Sequence, residues 1–228
     1  DEFGSKYEEG LKKENVEYFY SKKKEELPTG TCLILVTPDS ERTMCTFLGT
    51  AGKINEKDVS SDAIRKSEII FLEGYLWDEG DPKKAFDKAI NNANKVAMSL
   101  SDLFCVDRHK PHFLNLVKNK LDITFANEQE ITSLIEAKNF DEVINFSKKL
   151  NKLMIVTRGE KGAVAINGDE VVESDIQKNL KIVDLTGAGD LFAAGFLHGY
   201  INKLSTKECL KKGTEMSSKV IQQIGARL

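Results

Sequence analysis

Residues 181–197, KIVDLTGAGDLFAAGFL, join a short apolar run to a helical stretch that is apolar on every side. A helix with apolar residues all round has to be buried. Gly187, Ala188 and Gly189 stand immediately before it and leave backbone N–H groups without covering side chains, at the positive end of the helix dipole. This stretch therefore predicts an anion hole, able to hold a phosphate or the charge that develops on a transferring phosphoryl group.

Asp190 follows these glycines, and the residues alone leave two interpretations of it open. An ionised carboxylate at this place could accept a proton from a hydroxyl laid against the hole. Alternatively, Asp190 only caps the helix, a role that Asp often has. Two other glycine motifs are excluded, because Phe192 stands where a dinucleotide fingerprint needs its third glycine and no Walker A sequence occurs.

Outward from this stretch, the chain alternates between short apolar strands and helices from Ile54 to its end. Within this part we expect strands at 96–100, 123–126 and 153–157, helices at 111–118 and 140–150, and a turn at Gly168 and Asp169. Continuously apolar strands that are each followed by a helix predict a mainly parallel sheet covered on both faces. Residues 16–48 are different, because β-like runs at 16–20, 31–37 and 43–48 are broken by turn residues and predict hairpins. The pattern predicts one α/β domain over residues 1–228 with a small β-rich segment near its start.

Composition and charge narrow the function classes. The chain has 228 residues, with 33 Lys and Arg against 36 Asp and Glu, and a net charge of −3. It lacks the clustered excess of basic residues expected of a nucleic-acid surface and the run of about 20 apolar residues that spans a membrane. The four cysteines and three histidines lack metal-ligand spacing. We expect a cytoplasmic protein without nucleic-acid or membrane partners.

The stretch Asp184–Phe196, DLTGAGDLFAAGF, resembles the C-terminal signature of the ribokinase-like, or phosphofructokinase B (PfkB), family of ATP-dependent sugar and nucleoside kinases. The family more often has Thr or Ser where this chain has Leu185. Further segments are similar to bacterial members of the adenosine kinase type: Glu68–Asp78, Ser99–His109, Phe125–Glu130, Val156–Ala163 and Ile224–Arg227. The resemblance implies a ribokinase-like three-layer α/β/α fold with a small β lid, to which residues 16–48 contribute.

The resemblance also implies roles around the transferred phosphoryl group. Asp190 would be the catalytic base, and Gly187, Ala188 and Gly189 would form the anion hole. Arg42 would reach the transferring phosphate, although a solvated surface arginine is the alternative interpretation.

Other residues are implied to bind the nucleotide. Asn127 and Glu130 match a motif that positions Mg²⁺ and phosphate, with Glu130 acting on the metal through water, and their spacing also fits a capping box. The further nucleotide-binding residues are Thr157, Arg158, Gly159, Gly162 and Thr186. For the turn after Val156, an ordinary hairpin with an exposed arginine is the alternative.

The expected function is transfer of the γ-phosphoryl group of ATP, with Mg²⁺, to a hydroxyl of a nucleoside or sugar, in an adenosine kinase-like enzyme. The alternatives are a ribokinase or fructokinase type of sugar kinase, a nucleotide-binding module without turnover, and a plain α/β scaffold. Family domains begin with βαβ units that bind the acceptor, and we expect that portion to be missing before Asp1. The expected partner is a small nucleoside or sugar, and the expected assembly is a monomer or homodimer.

Overall fold

The chain is built from eight strands, eight α-helices and four short 3-10 helices within the part that the structure describes. This structure is a computed structural model that describes residues 1–20, 22, 26–175 and 177–228. The strands are β1 (Thr31–Val36), β2 (Arg42–Phe47), β3 (Ile70–Glu73), β4 (Val96–Ser99), β5 (Ile123–Asn127), β6 (Leu153–Thr157), β7 (Ala163–Asn167) and β8 (Glu170–Glu173). The helices are α1 (Glu2–Lys13), α2 (Ser61–Lys66), α3 (Asp81–Asn92), α4 (Leu103–Asn119), α5 (Glu128–Ile135), α6 (Phe140–Leu150), α7 (Ala188–Ile201) and α8 (Thr206–Val220).

The larger sheet has six strands in the order β3-β4-β5-β6-β7-β8. Strands β4, β5 and β6 pair in parallel, whereas β7 and β8 are antiparallel. Ser99 lies opposite Phe125, and Asn127 lies opposite Thr157. The carboxyl ends of β4, β5 and β6 therefore lie along one edge of the sheet, the edge at which open α/β sheets bind ligands. The predicted α/β class, with a mainly parallel sheet and a small separate β element, is confirmed.

Strand β8 is absent from the sequence prediction, which has only a turn at Gly168 and Asp169. Gly168 has a positive φ of 57°, as a tight turn requires, and the chain then returns along β7. Residues 170–173, EVVE, do not alternate between apolar and polar side chains and carry a glutamate at each end. Their extended form comes from pairing with β7, which a short sequence window cannot reveal.

Strands β1 and β2 form a separate two-stranded sheet. The Thr37 amide donates to the Glu41 carbonyl at 2.9 Å across the intervening turn, which confirms the hairpin predicted at Pro38–Ser40. The strand predicted at residues 16–20 is wrong, because that stretch is irregular and pairs with no strand among the described residues. Tyr18 and Tyr20 stack on each other instead, with ring centroids 4.9 Å apart. Residues 21 and 23–25 of the β-rich segment lie outside the described residues.

Helix α4 begins well before the helix predicted at 111–118. Asp102 caps it by accepting a hydrogen bond from the Phe104 amide at 2.8 Å. Pro111 therefore lies inside the helix, and His109 has non-helical backbone angles. The prediction failed because Pro is common at a helix start, whereas this helix accommodates it by a break near His109.

The chain divides into two compact units. The first comprises Asp1–Ile34, Met44–Ile70 and Leu76–Lys95, and contains α1, α2 and α3. The second comprises Leu35–Thr43, Phe71–Tyr75 and Val96–Leu228. Every residue predicted for the site belongs to the second unit. Within the described residues, no helix is both long and apolar enough to cross a membrane.

Helices α7 and α8 pack closely enough to exclude side chains at their contact. A Cβ atom on Gly195 would lie 2.6 Å from the Lys212 carbonyl oxygen, and one on Gly213 would lie 2.8 Å from the Phe192 carbonyl oxygen. Phe196 of α7 meets Phe125 of β5 edge to face, with ring centroids 5.6 Å apart. The predicted burial of this helix is confirmed only for the side that packs against β5 and α8, and it is wrong for Ala194, which is exposed.

Candidate active site

The first turn of α7 leaves backbone N–H groups open. Gly187 is the N-cap residue, with a left-handed backbone (φ 79°) and no side-chain cap hydrogen bond. Gly189 is exposed, and a Cβ atom built on it would meet no heavy atom within 4 Å. The Ala188 amide, however, donates to the Leu185 carbonyl at 3.3 Å. The helix start therefore keeps the uncovered backbone that the sequence predicts for an anion hole at Gly189, whereas one of the three predicted amides already has a partner.

Asp190 is the third residue of α7, and Gly187 occupies the N-cap position. The Asp190 side chain is exposed, and the start of this helix has no side-chain cap among the described residues. The interpretation of Asp190 as the N-cap is therefore wrong. Its carboxylate is open to a hydroxyl from outside the chain, and its role as a base stays a prediction.

Asp184 is buried, with 2% of its surface exposed, in the loop before α7. Its Oδ1 accepts hydrogen bonds from the Thr186 amide at 2.9 Å and the Thr186 hydroxyl at 2.6 Å, and its Oδ2 accepts one from the Gly225 amide at 2.9 Å. Burial disfavours the charged carboxylate, but these hydrogen bonds and the positive charge of Arg42 hold the pKa of Asp184 below its ordinary value. The Thr186 hydroxyl hydrogen is bound to Asp184, so only the lone pairs of that oxygen remain for a nucleotide.

Asn127 and Glu130 form a complete capping box at the start of α5. The Asn127 side chain accepts from the Glu130 amide at 2.8 Å, while Glu130 accepts from the Asn127 amide at 2.9 Å and from its side-chain amide at 2.7 Å. Glu130 is 4% exposed, and burial raises its pKa to about 7 despite the opposing hydrogen bond from the Asn127 amide. The capping interpretation is thus confirmed, and a second role toward Mg²⁺ stays a prediction.

The turn after β6 brings Thr157 to the same edge, opposite Asn127. Gly159 and Gly162 have positive φ values of 57° and 82°, and the Arg158 amide donates to the Gly162 carbonyl at 2.8 Å. These glycines are needed because other residues rarely adopt this backbone conformation. The hairpin of the alternative interpretation is therefore confirmed, but its exposed arginine is wrong, because Arg158 is half-buried. A role of these residues in nucleotide binding stays a prediction.

The Arg158 side chain has partners within the protein. Its Nε donates to Glu128 at 3.0 Å and its Nη2 donates at 3.3 Å, and its guanidinium lies 3.6 Å from the centre of the Phe140 ring. The arginine lowers the pKa of Glu128 through this hydrogen bond and its charge, against a smaller effect of burial. The guanidinium thus links the start of α5 to the β6–β7 turn. For its predicted contact with a nucleotide, Arg158 has only the N–H groups that do not bind Glu128.

Glu73, at the carboxyl end of β3, is a candidate that the sequence prediction missed. Its carboxylate accepts a hydrogen bond from the Ser101 hydroxyl at 2.8 Å. Burial, with smaller contributions from the negative charges of Asp190 and Glu130, raises the pKa of Glu73 to about 7. The signal was available in the sequence, because a glutamate followed by Gly74 ends an apolar run at the edge where ligands bind.

Arg42 is exposed at the start of β2. The turn before it reaches the loop that precedes α7, where the Ser40 hydroxyl donates to the Ile182 carbonyl at 3.0 Å. Arg42 lies near enough to Asp184 to affect the pKa of that carboxyl. The structure therefore brings Arg42 and the loop of Asp184 together, as a contribution to phosphate binding would require.

The carboxylates of the candidate site suit a metal ion whose other ligands are waters and substrate phosphates. Within the described residues, no group of three or more His, Cys, Asp or Glu side chains could hold a metal ion directly. Mg²⁺ usually keeps several waters and is held by one or two carboxylates together with substrate phosphates. Glu130, with its hydrogen bonds to Asn127, fits such an ion through water.

The chain is similar to known proteins in both sequence and fold. The sequence model of the pfkB family of carbohydrate kinases matches residues 1–228. A probable sugar kinase from Rhizobium etli CFN 42 is 38% identical, with a TM-score of 0.93 over 100% of this chain and 70% of that one. Adenosine kinase from Sinorhizobium meliloti is 37% identical, with a TM-score of 0.94 over 100% of this chain and 71% of that one.

A more distant relative is a ribokinase from Arabidopsis thaliana, which is 27% identical over 87% of this chain and 53% of its own length. The chain thus spans about half of that relative and 70% and 71% of the two solved structures. A family match over the full chain, together with the open helix start behind the DLTGAGD segment, decides the assignment. The chain belongs to the pfkB family of carbohydrate kinases.

Proposed function

We propose that this protein transfers the γ-phosphoryl group of ATP to a hydroxyl of a nucleoside or sugar, with adenosine as the first candidate acceptor. The observation that carries the proposal is the first turn of α7, where exposed Gly189 stands directly before exposed Asp190 in a helix whose cap position has no side chain. Open amides and a free carboxylate side by side are what phosphoryl transfer to an alcohol needs.

In the proposed reaction, the acceptor oxygen attacks the γ-phosphorus of ATP. The new O–P bond forms as the bond from the γ-phosphorus to the bridging oxygen breaks, and ADP leaves with that oxygen. Asp190 takes the proton of the acceptor hydroxyl. The amides of Gly187 and Gly189, together with the Ala188 amide in place of its 3.3 Å hydrogen bond to the Leu185 carbonyl, stabilise the negative charge on the transferring group. This positioning and charge stabilisation supply most of the rate in such loose transition states.

The nucleotide phosphates are proposed to lie along the edge formed by the ends of β5 and β6. Asn127, Thr157 and the β6–β7 turn line this edge, and Arg158 braces it through Glu128. Arg42 is proposed to approach the transferring phosphate from the β1–β2 turn, which belongs to the segment predicted to act as a lid. Mg²⁺, held through water by Glu130, would offset phosphate charge when bound.

The choice of adenosine is supported by the sequence similarity to bacterial adenosine kinase-like segments and by the 37% identity to the Sinorhizobium meliloti adenosine kinase. A sugar kinase is the second candidate, because the probable sugar kinase from Rhizobium etli is similar at 38% identity. The two candidates share the donor and the chemistry and differ in the acceptor alone.

The test is an ADP-release assay with ATP and Mg²⁺, run separately with adenosine, ribose and fructose. We expect turnover with adenosine and a loss of turnover in Asp190→Asn with ATP binding retained, as measured by calorimetry. Turnover with ribose or fructose alone would move the protein to the sugar kinases. ATP binding without turnover on any acceptor would favour a nucleotide-binding module, and absence of ATP binding would leave an α/β scaffold.

A further inference from the structure

A single buried carboxylate joins the loop before α7 to the chain end that follows α8. The three residues concerned, Asp184, Thr186 and Gly225, are called the Asp184 clasp below. Thr186 donates two hydrogen bonds to Oδ1, at 2.9 and 2.6 Å, and Gly225 donates one to Oδ2 at 2.9 Å. Gly225 is 41 residues away along the sequence, so the clasp is a tertiary link.

Backbone contacts next to the clasp fix the same two segments. The amides of Val183 and Asp184 donate to the Ile221 carbonyl at 2.8 and 3.3 Å. On the other side, a Cβ atom on Gly187 would lie 2.8 Å from the Ala226 Cβ atom. The segment after α8 therefore lies directly against the N-cap residue of α7.

The direction of the amides at the start of α7 depends on the backbone of Gly187, whose φ of 79° is supported on one side by Ala226. Ala226 follows Gly225, so the clasp holds the residue that supports Gly187. The clasp requires a carboxylate, because both of its oxygens accept N–H or O–H donors. The side-chain amide of Asn has only one accepting oxygen and would set a donor against a donor on the other side.

We propose that Asp184 is a positioning residue, which holds the amides of the anion hole in the arrangement that the transition state needs. The inference rests on the proposed phosphotransferase function. It assigns to Asp184 an effect on kcat through the backbone of Gly187, without contact with the acceptor. A purely structural Asp184 would change stability and leave the kinetic constants of the folded protein as they are.

The experiment measures kcat, KM for ATP and KM for adenosine or ribose on the full chain for wild type, Asp184→Asn, Gly225→Ala and the double variant. We expect kcat to fall roughly 10- to 100-fold in Asp184→Asn, because small misplacements of catalytic groups cost about that much. We expect a smaller fall in Gly225→Ala, whose φ of 93° is strained for alanine. The acceptor KM should stay within about twofold in both variants.

The double variant tests whether Asp184 and Gly225 act as one unit. If they do, the combined loss in kcat will be smaller than the product of the two single losses. Val143→Ala is the control for stability, because Val143 is fully buried in α6 and belongs to neither the clasp nor the site. We expect it to lower the free energy of unfolding in urea while kcat at a temperature well below the unfolding transition is unchanged.

Each outcome decides between the proposals. Wild-type kcat in both single variants, with Asp190→Asn still inactive, would overturn the role of Asp184 and leave the proposed function intact. Independent, multiplying losses in the double variant would also overturn the clasp. Should Asp184→Asn fail to fold, Gly225→Ala keeps the carboxylate and supplies the kcat and KM comparison alone. A wild-type chain without turnover on either acceptor would overturn the proposed function and this inference with it.

Discussion

The first backbone amides of a helix have no partner within the helix, and the starts of α5 and α7 treat these amides in opposite ways. In α5, Asn127 and Glu130 satisfy each other's amides in a capping box whose glutamate is buried. In α7, Gly187 offers no cap side chain, Gly189 is bare, and the acidic residue at the third position, Asp190, is exposed. An acidic residue three positions after the N-cap is thus structural in one helix and open to a ligand in the other. The surroundings of a carboxylate at a helix start therefore decide whether it caps the helix or faces a ligand.

The largest expected effect is on catalysis at the open helix start. Asp190→Asn should lower kcat by about 10²- to 10⁴-fold, the range that a positioned general base contributes. Its free energy of unfolding should change by no more than about 0.5 kcal/mol, because the side chain is exposed and does not cap α7. The measurements are ADP release and urea unfolding. A large loss of stability with little loss of kcat would make Asp190 resemble the capping residues of α5.

A pair of glycine variants at the start of α7 separates the residue that the fold needs from the residue that we expect to bind ATP. Gly187→Ala should destabilise the protein by about 1–3 kcal/mol, since alanine is strained at this φ and its Cβ would meet Ala226 at 2.8 Å. Gly189→Ala has space for its Cβ and should keep or slightly raise stability, while its methyl group covers the amides and weakens ATP binding. Urea unfolding and calorimetry distinguish the two. Equal losses of stability would show that the helix start is packed rather than open.

At the capping box of α5, in contrast to Asp190, we expect a substitution to lower the stability of the protein. Asn127→Ala removes the side chain that accepts from the Glu130 amide and should lower the free energy of unfolding by about 0.5–2 kcal/mol. Asn139→Ala, at the N-cap of α6, is the matched control, because it removes the same kind of cap and was not predicted to bind the nucleotide. If only Asn127→Ala also weakens ATP binding, the capping box has the second role proposed for it.

The smallest expected effect is a pH dependence of stability. The pKa of Glu130 is raised to about 7 in the folded chain from an ordinary value of 4.5, so the folded state holds its proton more tightly than the unfolded state does. The stabilisation from Glu130 is therefore fully present below about pH 4.5 and is lost as pH rises through about 7. Glu130→Gln should flatten the fall in stability between these values by on the order of 1 kcal/mol.

Urea unfolding at several pH values for both proteins checks this slope. Glu73→Gln is the matched comparison, because the pKa of Glu73 is raised to about 7 as well, mainly by burial. Parallel slopes for wild type and Glu130→Gln would show that Glu130 carries a charge in the folded protein across the whole range.

The sequence pattern was sufficient to predict a helix or strand where the residues of that segment alone decide its conformation. The helix at 140–150 and the strands at 96–99, 123–127 and 153–157 follow from periodicity and agree with the structure within a residue or two. The failures occurred where a neighbour decides. Residues 16–20 have β-like composition but pair with no described strand, and β8 becomes extended only by pairing with β7. Pro111 predicted a helix start because local statistics cannot show that packing keeps a broken helix together.

The candidate site divides in the same way. The order of residues alone determined the bare amides at 187–189, the acidic residue that follows them and the capping box at 127–130, because each depends on side chains that are close in the chain. Tertiary structure alone decided that Gly225 reaches Asp184, that Glu128 holds Arg158, and that Glu73 is half-buried near other acids. Hydrogen bonds and burial act over a few ångströms of space, and the folded sheet brings together residues that the sequence separates.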